Sequence, residues 1–332
     1  MAKRSFHLSL SLVCSFTLCV ASIVFAQIPA SLQTPMLGYV FDATARGIRP
    51  IVGIPGSSSL DELLPLGISV EKVAFLPDQW HAIVGSADTR DAAVVDLRSL
   101  KNVPISGASS SITEIRTSAR GAVAALYYAT AGRMVLVDGL PEAPVIRTTI
   151  DLSTVRGVLR RFAVSDDETS LLSFYSDEKE NLYAWNASNG LRYVANATRI
   201  SDMAFSGNDA IYLDLGSDQA FRIRNIRENA APELLADSEI GLFQPAAVFV
   251  SGRGEIFIGN SDGGILVLDS TGLPLRKSRC RCTITAMEPL AKSALRLTER
   301  VDQPIYVLDG SDADRIIFIP ALPADAEHGA AQ

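Results

Sequence analysis

Three observations predict an all-β fold made from one repeated four-stranded unit. First, Gln244–Cys282 contains three short apolar, β-branched runs, Ala246–Val250, Glu255–Asn260 and Ile265–Asp269, and a more polar fourth, Leu275–Arg279. The turn clusters Ser251–Gly254, Ser261–Gly264 and Ser270–Gly272 separate them, as in an up-and-down antiparallel sheet. Second, six segments open alike: SVEKVAF at Ser69, SITEIRT at Ser111, VLRRFAV at Val158, RISDMAF at Arg199, QPAAVFV at Gln244 and TITAMEP at Thr283. Their starts lie 42, 47, 41, 45 and 39 residues apart by subtraction. Third, the run that follows two strands later usually ends in Asp or Asn: Asp96, Asp138, Asn186, Asn225, Asp269 and Asp309. Two landmarks in phase at a period near 40 residues predict a β-propeller of four-stranded antiparallel blades. Each blade must bury a face against the next, so the repeats form one domain.

Taken in order, the chain begins with Lys3 and Arg4, an apolar stretch Leu8–Phe25 and small residues before Gln27. This reads as a signal peptide over residues 1–26, which predicts a secreted or periplasmic protein with no membrane span in its mature form. The propeller domain is expected over 27–321. Gly38–Ala43 and Ile48–Gly53 read as a strand pair, with the Asp42 corner counted as a seventh third-strand ending. Ser57–Leu64 reads as a connector with one helical turn. If the pair supplies the third and fourth strands of an incomplete blade, the ring has seven blades; six is the alternative. LPADAEHGAAQ, from Leu322, reads as a disordered tail over 322–332.

The formal net charge is -7. Without Lys3 and Arg4 the balance is 28 basic against 37 acidic residues, or -9, and no basic face is evident, which argues against nucleic acid as a partner. Cys280 and Cys282 are the two cysteines outside the signal, so the fold rests on its apolar core rather than on a disulfide framework.

The segments Val70–Asp78 and Ile200–Asn208 resemble the inner strand and turn of WD-repeat, NHL and YVTN-type propellers. Ile256–Gly272 and Asn181–Val194 resemble the repeats of PQQ-type propellers. The resemblance covers nearly the whole mature chain and implies the propeller fold. It implies no single activity, since propellers serve as enzymes, scaffolds and sensors, and no cofactor is expected from it.

Few residues carry recognisable chemistry. His81, next to Trp80, is the histidine outside the signal and the tail. No Gly-x-Ser-x-Gly elbow accompanies it for nucleophilic catalysis, and no Cys/His cluster offers a transition-metal site. Asn186-Ala187-Ser188 and Asn196-Ala197-Thr198 match the glycosylation pattern. Cys280-Arg281-Cys282 on a strand places both sulfurs on one face, which fits a local disulfide or a redox pair flanked by Lys277, Arg279 and Arg281. The fourth position of the repeat openings holds Lys72, Glu114, Arg161 and Asp202, with Ala247 and Ala286 completing a ring. In a propeller this ring lies on the inner strands, near one mouth of the channel. Glu114 and Asp202 are its carboxylates and the candidate ligands for a divalent cation such as Ca2+. The sequence therefore supports a secreted binding or scaffold propeller for a protein, peptide or glycan. The alternative is a cation-dependent propeller hydrolase or lactonase acting at the channel mouth.

Overall fold

A computed structural model describes residues 35–322, except 87, 89–91, 109–110, 229–230, 291–292 and 311–314. The signal-peptide stretch and the tail from residue 323 lie outside the described residues. Seven antiparallel sheets follow one another along the chain. Blade 1 is β1 (Met36–Asp42), β2 (Gly47–Ile54) and β3 (Ser57–Leu60). Blade 2 is β4 (Val70–Phe75), β5 (His81–Ser86), β6 (Ala92–Asp96) and β7 (Asn102–Pro104). Blade 3 is β8 (Glu114–Thr117), β9 (Ala124–Tyr128), β10 (Arg133–Asp138) and β11 (Val145–Asp151). Blade 4 is β12 (Val158–Val164), β13 (Ser170–Ser176), β14 (Lys179–Asn186) and β15 (Gly190–Ala197). Blade 5 is β16 (Ile200–Ser206), β17 (Asp209–Asp214), β18 (Gln219–Ile223) and β19 (Glu233–Ala236). Blade 6 is β20 (Pro245–Val250), β21 (Ile256–Asn260), β22 (Gly264–Leu268) and β23 (Pro274–Arg279). Blade 7 is β24 (Glu288–Pro289), β25 (Ala294–Arg296), β26 (Ile305–Asp309) and β27 (Arg315–Ile319). The protein is a seven-bladed β-propeller. Among the described residues one single-turn 3-10 segment, Ser238–Ile240, interrupts the strands, and no helix is long and apolar enough to cross a membrane.

The core consists of the seams between blades. Ile83, Val94, Leu126 and Val135 join blades 2 and 3, and Leu136, Phe162 and Leu172 join blades 3 and 4. Buried central strands explain the near-continuous apolar runs of the sequence. Each such side chain, fully buried, contributes about 1.5–3 kcal/mol of transfer free energy.

The inner strands share one irregularity. The register shifts between Val70 and Lys72 in β4, Leu159 and Arg161 in β12, Ile200 and Asp202 in β16, and Pro245 and Ala247 in β20. A bulge at the same repeat position explains why the second position is apolar and the fourth is not its mirror on the same face.

Blade 1 departs from the expected arrangement. Ser57–Leu60 is a strand and not part of a helical connector, because β2 pairs with it from Ile51↔Leu60 to Ile54↔Ser57. Directions then identify the strands. The Arg46 carbonyl in the β1–β2 turn accepts the N–H of Val70, where β4 begins. At its other end β1 passes Gln79 of the β4–β5 turn and Leu290 of blade 7, which crowd Gly38. So β1 runs opposite to β4, as a second strand does, and β2 and β3 are the third and fourth. The member not found among the described residues is the inner strand. The Asp42 corner accordingly lies at the opposite mouth from the third-strand corners. It matches Asp214 and Asn260, which close the second strands β17 and β21. Asp214 accepts the N–H groups of Thr198 and Arg199, and Asn260 that of Phe243, each just before an inner strand. Asp42 has no such strand to hold and takes Arg49 Nε instead, at 2.7 Å. Blade 1 is nevertheless clamped on both faces. Leu37, Val40 and Ile51 pack on blade 7 through Leu290, Val301 and Ile305. Tyr39 and Ile48 pack on blade 2 through Val70, Ala82 and Val84.

The third-strand Asp residues do turn chemistry. Asp269 accepts the N–H groups of Thr271 at 2.8 Å and Leu273 at 2.9 Å. Asp96 does the same for Arg98 and Ser99. Desolvation raises its carboxyl, but these bonds together outweigh it and bring it down to about 2. Asp138 and Asp309 instead pair with Arg147 and Arg315 of the fourth strands.

Candidate functional site

The inner strands surround a central cavity of about 650 Å3. It reaches from Pro77, Gln79, Ser118 and Ala119, where these strands end, to Thr44, Glu71, Lys72 and Asp302 near where they begin. Phe75, Phe162, Phe205 and Phe249 give it apolar walls. On the side where blade 1 has no inner strand, Phe41 and the Glu299–Asp302 loop of blade 7 form the wall.

The fourth-position residues divide into two kinds. Lys72 and Glu114 line the cavity. Arg161 and Asp202 reach sideways to the next blade: Arg161 Nε donates to the Ser201 carbonyl at 2.8 Å, and Asp202 accepts the Val248 N–H at 3.0 Å. Ala247 is buried in the seam with blade 7. The ring is thus partly a set of blade-to-blade ties.

Sequence reasoning missed the residue at its centre. Arg116 Nε donates to Glu114 at 2.7 Å, and its Nη1 lies 4.0 Å from Asp202, which stands two blades away. Glu288 of blade 7 also acts on it electrostatically. Glu288 pairs with the buried Arg296, which also donates to the Glu299 carbonyl at 3.3 Å. Four carboxylates, Glu114, Asp202, Glu288 and Glu299, therefore share three guanidiniums, Arg116, Arg296 and Arg161, the last acting on Asp202, a formal excess of one negative charge by subtraction. Burial opposes the charge of Arg116, but Asp202 and then Glu114 hold it above its ordinary value. Burial pushes Asp202 up despite the pull of Arg116, and burial with the neighbouring Glu288 pushes Glu299 up. Glu288 also feels burial, yet Arg296 holds it below the usual range. One signal for this cluster was present in the sequence. Arg116 and Glu288 occupy the sixth position of their repeat openings, where the other copies carry Ala74, Ala163, Ala204 and Phe249.

The remaining candidates lie elsewhere. His81 begins β5, and its Nδ1 is 2.6 Å from Asp78 within the same turn. Cys280 and Cys282 form a disulfide with a Cα–Cα distance of 5.2 Å. Cys280 is buried with Ile284 and Met287, and Arg279 pairs with Asp262 at 2.9 Å. Asn186 is buried and accepts the N–H groups of Ser188 and Asn189, whereas Asn196 is exposed on β15. No group of three or more His, Cys, Asp or Glu suited to a metal ion occurs among the described residues.

Comparison with solved structures places this geometry among β-propellers. A protein of unknown function from Desulfotomaculum acetoxidans superposes with a TM-score of 0.59 at 13% identity, over 87% of this chain and 100% of that one. Virginiamycin B lyase from Staphylococcus aureus gives 0.55 at 10% identity, over 77% and 85%. The WD40 repeats of RRP9 give 0.52 at 12%, over 77% and 82%. No family model matches the chain, and no curated protein does.

Proposed function

We propose that this chain is an exported binding propeller that takes a protein, peptide or glycan ligand at the mouth of its central channel. The observation behind this reading is the channel itself: a cavity of about 650 Å3 with phenylalanine walls and a polar cluster whose members hold one another in place. A largely pre-formed concavity of this size with a few convergent polar groups is the usual form of a ligand site. Export rests on the basic start and apolar run of residues 1–26. Immobilised protein probed with peptide, glycan and protein libraries should give hits that Lys72→Trp, which narrows the channel with an unchanged melt, abolishes. Hits indifferent to that substitution place the ligand elsewhere. A second reading, a hydrolase or lactonase using a divalent cation, draws on Glu114 and Asp202, which meet at Arg116. Calorimetric titration with Ca2+ tests it, and no heat together with an unchanged melt for Glu114→Ala removes it.

A further inference from the structure

Among the described residues blade 1 has no inner strand, and the backbone of β1 shows what that leaves open. The Ile48 carbonyl accepts the Leu64 N–H at 2.9 Å, and the Pro50 carbonyl accepts the Asp61 N–H at 3.0 Å. Both carbonyls therefore point toward the β3 side of β2. Phe41 and Tyr39 stand opposite Ile48 and Pro50 in the β1–β2 ladder. In an antiparallel pair whose backbone groups point outward on one strand, those of the facing residues point outward on the other. The N–H and C=O groups of Tyr39 and Phe41 thus face away from β2, toward the channel. In blade 2 the corresponding edge of β5 is taken by β4, from Val70↔Ser86 to Phe75↔Ala82. No described strand takes that edge of β1. Tyr39 is 2% exposed, and buried backbone donors and acceptors are costly to leave without partners.

The surroundings select what could fill the place. The edge borders a bore lined by inner strands, so an occupant must be extended and single. Val301 packs with Leu37 and Val40 of β1, which sets the neighbouring Glu299 beside this edge. Glu299 belongs to the cluster whose carboxylates outnumber its guanidiniums by one.

We propose that the inner edge of β1 is a strand-addition site for an extended peptide that carries a basic side chain. This rests on the reading of the channel as a binding site and gives it a ligand class. The peptide pairs antiparallel to β1 and so runs in the direction of the six inner strands. Its main chain satisfies Tyr39 and Phe41, which confers affinity independent of sequence, and its cationic side chain meets the acidic excess. Burial pushes the carboxyls of Asp202 and Glu299 up, and an arriving cation pulls them back down.

The test uses the full chain and a fluorescent, end-capped peptide of alternating Val and Thr with one central Arg, followed by anisotropy. Binding is expected, and it should weaken about tenfold or more when alternate peptide amides are N-methylated, and again when Arg is replaced by Glu. Amide exchange in the segment 36–42 should slow on binding, at Tyr39 and Phe41 in particular. An N-methylated peptide that binds equally well, or exchange at these two amides that does not change, overturns strand addition while leaving a channel site intact. Absence of binding by any peptide at millimolar concentration also overturns it. The broader channel reading is then decided separately, by glycan and protein hits that Lys72→Trp removes.

Discussion

In blade 6 the second strand ends on Asn260, whose side chain fastens both ends of a local loop. Its Oδ1 accepts the N–H of Phe243, just ahead of the inner strand, and its Nδ2 donates to the Gly241 carbonyl. In blade 1 the second strand ends on Asp42, which fastens the strand's own hairpin through Thr44, Ala45 and Arg49. One blade has four strands and is tied back to the loop that precedes its inner strand. The other has three among the described residues and is tied to itself, yet it is clamped by apolar faces on both sides. The difference shows how much face packing between blades contributes to closing this ring.

The largest expected effect tests that statement directly. Ile258 of blade 6 and Ile51 of blade 1 are both fully buried. Ile258→Ala should cost about 2–5 kcal/mol in urea unfolding, and Ile51→Ala should cost the same if faces alone hold blade 1. A much smaller loss at Ile51, with a separate early transition, would show that blade 1 opens independently. Next in size, Asp42→Ala should cost about 1–3 kcal/mol, because the mostly buried Arg49 loses its partner. Asn260→Ala removes a neutral side chain and should fall at the lower end of that range, so the order of the two reports whether the charged tie matters more. The smallest effect belongs to the channel. Asp202 is pushed up by burial, so folding favours its protonated form. Its contribution therefore declines as pH rises from the unfolded carboxylate value of about 4 through the higher folded one. Asp202→Asn should raise the melting temperature relative to the parent at pH 7, and the gain should shrink toward pH 4. A gain that is constant with pH refutes the assignment.

Much of the fold was legible because central strands buried on two faces must be apolar and turns must be Gly, Asp or Ser. Blade 6 matches its expected strands to within a residue. Blade 1 was misread for two physical reasons. Ser57–Leu60 has no apolar alternation of its own and becomes a strand only by pairing with β2. GYVFD ends like a third strand, but direction within a blade depends on contacts with Val70 and Gln79 that no local pattern encodes. Half of the site was visible as a charged ring. Arg161 and Asp202 were placed at the right repeat position, but both bond to the backbone of the next blade, a partner no local pattern encodes. Arg116 and Glu288 went unnoticed because a charge at the sixth position stands out only once that position is known to face the axis. Arg296 and Glu299 lie outside the repeat openings altogether.

The recurrent bulge has a practical side. Glu71, Arg160, Ser201 and Ala246 are the residues skipped by the ladder in four inner strands. They recur at one level of the inner strands; Glu71 lines the bore, while Arg160 stacks over Tyr175 of the neighbouring strand. A single cysteine in place of Glu71, coupled to a spin label or dye, would report on the channel from a known height. Labels at the other three would follow their blades around it, in solution, as a ligand arrives.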